Sequence, residues 1–121
     1  MATINKVMEQ VDGVTLNTFD EEAKFQWLSN LDGMISRVVM EQAEPVTYEY
    51  PNDMDRTLLA GYPFEDLYTL YLKAMIEFYN REYDDYNNSM LMFNERLEQY
   101  KAWYLRRHSC GEAKNFRNVM G

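Results

Sequence analysis

The residues best suited to chemistry in this 121-residue chain are its single histidine and its single cysteine, His108 and Cys110. A Cys–His nucleophile requires an enclosed cleft and a third, orienting group, and a structural zinc ion requires about four ligands. The two residues follow the last amphipathic segment of the chain, where we expect neither a cleft nor further ligands. We therefore predict no catalytic residue, no metal site, no cofactor and no enzymatic activity.

Carboxylates at suggestive spacings do not form a site either. Asp53 and Asp55 resemble the start of a calcium loop, but such a loop requires glycine at the position that Leu58 occupies here. Glu77 and Arg81 are four residues apart, which on a helix indicates an exposed ion pair. These carboxylates are therefore interpreted as structural or solvated groups.

Composition and charge restrict the class of protein. The chain contains 12 Lys and Arg and 20 Asp and Glu, which gives a net charge of −8. This excess of negative charge argues against a general nucleic-acid binder or a protein drawn to an anionic membrane. The longest apolar run, Met90 to Phe93, is too short to cross a bilayer, and the N-terminus lacks the apolar stretch of a secretory signal. A single cysteine excludes an intramolecular disulfide. We expect one domain in a soluble intracellular product, or in an assembly built inside a cell.

The charge is distributed unevenly along the chain. Residues 1–95 contain six basic and 18 acidic side chains, whereas residues 96–121 contain six basic and two acidic ones. Positive charge at a helix C-terminus complements the helix dipole, which is one interpretation. The other is head-to-tail pairing, in which the basic end of one subunit contacts the acidic body of the next. The sequence leaves both open.

The elements that would position these residues are helical. Thr3 is predicted to cap a short helix that ends at Asp12-Gly13. Thr18 and Glu21 fit a capping box at the start of a second, amphipathic helix of about twenty residues that ends before Pro45. A glycine inside that helix, at position 33, is interpreted as the point where a neighbouring helix approaches closely.

The third element is the longest. Neither proline nor glycine interrupts residues 64–110, and apolar side chains recur there every three or four positions. Residues 64–107 therefore form either one long helix or two, with a kink or break near residues 85–89, where Asp, Asn and Ser are poor helix formers. The stripe consists of Tyr68, Leu72, Met75, Tyr79, Tyr83, Tyr86, Met90, Phe93, Leu97, Tyr100 and Tyr104.

Residues 44–62, which we name the arm, are the only long irregular stretch. Residues 46–50 alternate apolar and polar side chains as a strand does, yet no second strand pattern exists to pair with them. The arm must therefore be solvated, packed on helices or paired with another molecule. We predict that it has a function, and that deleting residues 46–50 spares the helices while abolishing assembly.

The predicted fold is therefore all-α, a small helical bundle with one long C-terminal helix and an extended arm. The chain has 18 aromatic residues and nine Met, types that are favoured at interfaces. Core and interface are equally good explanations for them. The residues predicted to form an interface are Val46, Tyr48, Tyr50, Leu58, Leu59, Tyr83, Tyr86, Met90, Tyr100, Arg106 and Arg107.

Several short strings, in order along most of residues 3–108, resemble a known family. They are Trp27-Leu28-Ser29-Asn30-Leu31-Asp32-Gly33 with Ile35, Asp53-Met54-Asp55 with Leu58-Leu59, Pro63-Phe64-Glu65-Asp66-Leu67-Tyr68, and Tyr83 with Tyr86-Asn87-Asn88-Ser89-Met90 and Phe93-Asn94. Together they resemble the small head–tail connector, or head-completion, proteins of tailed phages and prophages of Gram-positive bacteria. Asn30, Phe64 and the tail after His108 depart from the pattern.

The resemblance implies an all-helical adaptor, residues 1–108, with a flexible polar tail at 109–121. It implies a virion structural protein, assembled in the bacterial cytoplasm, that forms a homo-oligomeric ring. The ring would dock beneath the portal protein, meet a tail-side stopper or completion protein, and extend the DNA channel without binding DNA specifically. From the residues alone, an acidic helical DNA mimic or a regulatory protein-binding module is the alternative.

Overall fold

The computed structural model describes residues 2–15 and 17–108, and the predicted all-α fold is confirmed. Helix α1 spans Ile4–Asp12, α2 spans Glu21–Met34, α3 spans Asp66–Tyr79 and α4 spans Tyr83–His108. A π-helical segment, Ile35–Val39, continues α2. The predicted tail at 109–121 lies outside the described residues. Among the described residues, no helix combines the length and the apolarity that a membrane crossing requires.

Helix α1 begins and ends where its sequence predicts. The Lys6 amide donates to the Thr3 hydroxyl at 3.2 Å, so Thr3 caps the helix. Gly13 follows the last turn, and its amide donates to the Glu9 carbonyl at 3.1 Å. Its buried side chains, Ile4, Val7, Met8 and Val11, recur every three or four residues and form one apolar face.

Helix α2 begins without the predicted capping box. Its N-cap residue is Asp20, which makes no side-chain hydrogen bond to the helix, so the prediction for Thr18 was wrong. At its C-terminal end the helix changes from α- to π-helical hydrogen bonding, in which each amide donates to the carbonyl five residues earlier. The Met40 amide, for example, donates to the Ile35 carbonyl at 3.1 Å. Glu41 follows with φ of 57°, in the left-handed region, which ends the helical path before Pro45.

The long apolar stripe belongs to two helices that form an antiparallel hairpin. Arg81 has φ of 64°, and the break lies at residues 80–82, ahead of the predicted 85–89. Asp84 and Asp85 occupy the first turn of α4, where the positive end of the helix dipole stabilises carboxylates. Poor helix formers therefore start a helix here instead of interrupting one.

Helix α3 lies at the centre of the bundle, where α1, α2 and α4 all pack against it. It has 14 residues and α4 has 26, so α4 is about 39 Å long and extends well past the start of α3. Arg96 binds Asp66, which places the middle of α4 beside the first turn of α3. The buried apolar side chains of α3 are Leu67, Tyr68, Leu72, Ala74 and Ile76.

The arm packs on its own helices, as one of the three alternatives predicted. The Val46 amide donates to Ser36 Oγ at 2.9 Å, and the Tyr48 amide donates to Ser29 Oγ at 3.2 Å. Residues 46–50 form no strand. Two hydroxyls of α2 and its π-helical extension therefore satisfy backbone groups that strand pairing would otherwise have to satisfy.

The close approach predicted at Gly33 is made by the arm and not by a helix. A Cβ atom at Gly33 would lie 3.1 Å from the Val46 carbonyl oxygen, which is tighter than ordinary contact. Further along, the arm meets the N-terminus in one antiparallel bridge, Thr3 with Thr57. The arm is thus anchored along much of its length.

Candidate functional site

The most unusual polar group in the bundle is the carboxylate of Asp32, which is fully buried. Its Oδ2 accepts from the Tyr48 hydroxyl at 2.6 Å and from the Leu59 amide at 3.0 Å. Its Oδ1 accepts from the Tyr68 hydroxyl at 2.6 Å, and that hydroxyl accepts from the Ala60 amide at 2.7 Å. One side chain of α2 thereby holds two points of the arm and the first turn of α3.

The ionisation of this cluster is strongly perturbed. Burial raises the pKa of Asp32 above its ordinary 3.8, and its hydrogen bonds, which act in the opposite direction, do not cancel that effect. Burial, and then the nearby Asp32, raises the pKa of Tyr48 and of Tyr68 above the ordinary range. Perturbed pKa values often mark active sites, but here the carboxylate is sealed from solvent and its partners belong to the fold. We assign the cluster to holding the arm in place.

A second buried polar group joins α3 to α4. Ser89 Oγ donates to Glu77 Oε1 at 2.6 Å, and Lys73 Nζ donates to Ser89 Oγ at 3.2 Å and pairs with Glu77 Oε2. The predicted ion pair between Glu77 and Arg81 was wrong, because Arg81 lies beyond the end of α3 in a left-handed turn. The Glu77 side chain is buried, and its hydrogen bonds join the two helices of the hairpin, so it is not a solvated group.

The predicted interface residues fall into three groups. Tyr48, Leu58 and Tyr100 are buried in this chain's own core, because the arm folds back on α2 and α4 pairs with α3. Their side chains are therefore not presented to a partner, and the long apolar stripe is not one continuous exposed surface. Val46, Leu59, Tyr86 and Met90 are half-buried, whereas Tyr50, Tyr83, Arg106 and Arg107 are exposed.

The predicted deletion of residues 46–50 is not neutral in this fold. It removes Tyr48, whose ring is buried and whose hydroxyl donates to Asp32. A buried carboxylate that loses a donor is destabilised, so the deletion weakens the core as well as the arm. Only exposed positions of the arm, such as Thr47 and Glu49, can test its surface separately.

Six aromatic rings join at the tip of the α3–α4 hairpin in what we name the hairpin-end cluster. Its members are Phe19, Trp27, Phe78, Tyr79, Tyr83 and Tyr86. Trp27 and Tyr79 are stacked in parallel planes at 5.3 Å between ring centroids, and Phe19 contacts both edge-on. Phe78 contacts Tyr79, Tyr83 and Tyr86 at 5.0–5.9 Å.

This cluster is open to solvent and has an acidic setting. Tyr79 and Tyr83 are each 52% exposed and Phe78 is 40% exposed. The segments 19–22 and 81–86, which contribute rings to the cluster, also contain six exposed carboxylates and one exposed cation, Arg81. The combination of open aromatic faces and carboxylates suits a cationic partner, because both attract positive charge.

A second aromatic cluster lies at the other end of the hairpin, and we name it the C-terminal-end cluster. It consists of Phe64, Tyr100, Trp103, Tyr104 and His108. Phe64 contacts Tyr100 and Trp103 at 5.3 and 5.4 Å, and Tyr104 contacts Tyr100 at 6.1 Å and stacks on His108 at 3.9 Å. Burial raises the pKa of Tyr100 to about 12.

Cations of the same chain cover the C-terminal-end cluster. The Arg96 guanidinium lies 4.5 Å from the centre of the Phe64 ring, binds Asp66 through Nε and donates to the Pro63 carbonyl at 2.6 Å. Arg107 lies over Trp103 at 5.1 Å. Its neighbour Arg106 is exposed at the end of the helix.

The remaining chemistry-bearing features are modest. His108 is stacked on Tyr104, and Cys110 lies outside the described residues. Within residues 2–15 and 17–108, no group of three or more His, Cys, Asp or Glu side chains is placed to hold a metal ion. An open cleft of about 430 Å³ between α1 and the start of α3 is lined by Lys6, Glu65 and Asp66 among others, without a histidine or cysteine.

Comparison with known proteins finds no matching family, no similar curated protein and no similar solved structure. The resemblance to phage connector proteins therefore remains a prediction from the sequence strings.

Proposed function

We propose that this chain is a non-enzymatic structural subunit of a tailed-phage or prophage particle, a head–tail connector that docks to the portal and extends the DNA channel. The specific family is supported by the ordered strings between residues 27 and 94. The class of protein is supported by one structural observation, the chemical difference between the two ends of the hairpin. The hairpin end is aromatic, exposed and acidic, whereas the last turn of α4 is basic.

Two unlike ends are what a subunit of a cyclic assembly needs. In a head-to-tail ring each copy contacts its neighbours through two different surfaces, and rotation closes the assembly. A subunit that paired through a single surface would stop at a dimer. The distribution of charge and exposed rings on this chain therefore favours a ring subunit over a simple dimer.

The arm supplies a further surface, distinct from both ends. Its backbone is held by Ser29 and Ser36, and its side chains at Thr47 and Glu49 are exposed. An arm that is anchored on one face and exposed on the other presents a fixed shape, so little ordering entropy is lost when it binds. We assign this exposed face of the arm to the portal.

The proposal is tested by co-expressing the chain with the portal protein encoded in the same genome. We expect a complex that elutes with the portal and, by electron cryomicroscopy, a ring of this chain on the tail side of the portal. Thr47→Lys with Glu49→Lys should reduce binding, because it reverses the charge of the exposed arm face. Glu9→Lys with Gln10→Lys makes the same change in charge on exposed residues of α1 and should leave binding unchanged.

A folded chain that does not bind the portal would refute the connector function. Tight binding to a basic nuclease or regulator instead, with DNA as the competitor, would establish the acidic-mimic alternative. The matched α1 variant separates a specific arm contact from a general effect of net charge. Equal losses of portal binding in both variants would remove the arm from the interface.

A further inference from the structure

We propose that the hairpin-end cluster of one copy binds the basic C-terminal end of α4 of a second copy. The inference rests on the proposed function in one respect, that copies of this chain meet in the particle. It adds the two surfaces through which they meet and the chemistry of the contact. The contact joins open aromatic rings and carboxylates on one copy to guanidinium groups on the other.

The hairpin end has the features of a cation-binding surface. Three of its rings are 40–52% exposed, and side chains of this type carry roughly 150–250 Å² each, so roughly 300 Å² of aromatic surface is open. An exposed apolar patch of about that size is often functional on a small protein. Glu82, Asp84 and Asp85 surround the start of α4 and would pair with incoming guanidinium groups.

The other end of α4 supplies the complementary charge. Arg106 and Arg107 are consecutive, exposed and in the last helical turn. Arg96 and Arg107 already lie over rings of their own chain, so guanidinium–ring contacts occur in this fold. Arg106 precedes Arg107 in the sequence and is exposed, so its guanidinium group is accessible to another molecule.

The two surfaces cannot meet within one chain. Tyr83 and Arg106 lie on the same unbroken helix, 23 residues apart, which at the α-helical rise corresponds to roughly 35 Å. No bend within α4 shortens that path, because the helix runs continuously from Tyr83 to His108. The attraction between the ends is therefore satisfied only between copies.

The contact is expected to be weak in the free protein. An open aromatic area of roughly 300 Å² is well below the ~800 Å² per partner of a stable interface. Association should therefore appear only at high protein concentration and should weaken as ionic strength rises, because exposed charges are screened. On a portal ring, neighbouring copies are held together and the same contact would be strengthened by proximity.

Sedimentation velocity of the full chain over a range of concentrations tests the inference. The C-terminal variant, Arg106→Glu with Arg107→Glu, should weaken self-association about tenfold or more, since it places like charges opposite each other. The hairpin variant, Tyr79→Ser with Tyr83→Ser, should weaken it similarly. Leu91→Ser with Met92→Ser is the matched control, because it removes two exposed apolar side chains of α4 that lie outside both ends.

A mixture of the two variants gives the sharpest result. The C-terminal variant keeps an intact hairpin end and the hairpin variant keeps an intact basic end, so one contact can form and no chain can extend. We expect a one-to-one dimer in the mixture and nothing larger, whereas the wild type forms larger species. Arg106→Glu alone leaves the Arg107–Trp103 contact in place, so it tests the exposed guanidinium group separately from that contact. Circular dichroism of every variant verifies folding.

Several outcomes would overturn the inference. One is a wild-type chain that stays monomeric at every concentration, and another is a control variant that weakens association as much as the other two. A mixture that forms no dimer would show that the two ends do not meet. Loss of portal binding with intact head-to-tail pairing would refute the connector function and leave this contact standing. Portal binding without head-to-tail pairing would refute this contact and leave the connector function standing.

Discussion

The two ends of the α3–α4 hairpin are both aromatic, but only one of them is covered. At the C-terminal end, Tyr100 is 1% exposed and Phe64 lies beneath the Arg96 guanidinium. At the hairpin end, Tyr79 and Tyr83 are half-exposed and the nearby charges are mostly carboxylates. Two aromatic clusters of similar size thus differ in burial, because one packs into the core and the other remains at the surface.

The difference has a topological cause. The C-terminal half of α4 extends past the start of α3, and Phe64, just before α3, packs beneath it. The hairpin end is a tight turn of three residues, and among the described residues the rings from outside the hairpin that contact it are those of Phe19 and Trp27. Rings at the tip of a hairpin have few neighbours, so they remain open unless another molecule covers them.

Tyr100→Ala should be the most damaging change to the covered end. Removing a buried aromatic side chain leaves a cavity, and we expect a loss of about 3–5 kcal/mol in the free energy of unfolding. The matched change Tyr83→Ala at the open end should cost less than about 1 kcal/mol, since half of that ring is already in water. Urea denaturation followed by circular dichroism measures both. Equal losses would mean that the hairpin end is also part of the core.

Asp32→Asn should have an intermediate, pH-dependent effect. At low pH the loss should be about 2 kcal/mol, because the amide replaces one of two accepting oxygens and leaves a buried donor unpaired. Because burial raises the pKa of Asp32 in the folded protein, the folded state holds this proton more tightly than the unfolded chain does. Its contribution to stability is therefore complete below about pH 4 and declines as pH rises through the folded pKa.

The difference in unfolding free energy between wild type and Asp32→Asn should accordingly shrink from acid toward neutral pH. Every other carboxylate is present in both proteins, so the difference reports Asp32 alone. Carbon-13 NMR of the carboxyl carbon measures its pKa directly. A value at or below 3.8 would contradict the assignment of burial as the dominant cause.

Arg96→Met should have the smallest of the three effects, about 1–2 kcal/mol. The change removes the ion pair with Asp66 and the bond to the Pro63 carbonyl while keeping an apolar chain over Phe64. Arg106→Met should change stability by less than about 0.5 kcal/mol, as expected for an exposed side chain. Thermal unfolding compares the two. A larger loss of unfolding free energy for Arg106→Met than for Arg96→Met would contradict the assignment of Arg106 to a surface that faces other copies.

Much of the fold could be predicted because it depends on short-range patterns. Thr3 and Gly13 bound α1 as capping residues do, and the apolar stripe of α3 and α4 has helical spacing throughout. The break was misplaced because Asp84 and Asp85 are poor in the middle of a helix and good in its first turn. Local propensity alone does not distinguish these two positions.

The candidate site was harder to predict than the fold. Tyr48 and Tyr83 have the same side chain and were both assigned to an interface, yet one is bound to Asp32 in the core and the other is exposed. The signal that was missed is Asp32 itself, a carboxylate within the apolar face of α2 beside Leu28, Leu31 and Ile35. An acidic residue at such a position needs buried donors, and tyrosines of the arm and α3 supply them.

By itself, the sequence determined the helical content, the ends of α1 and the separation of charge between the body and the C-terminal quarter. These follow from neighbours along the chain, through hydrogen bonds within one turn and through simple composition. The tertiary structure decided the fold of the arm, the partners of Asp32 and which aromatic rings are open. Those depend on residues 16 to 36 positions apart meeting in space, such as Asp32 with Tyr48 and with Tyr68. Burial by such distant contacts, and not residue type, separates the core tyrosines from the surface ones.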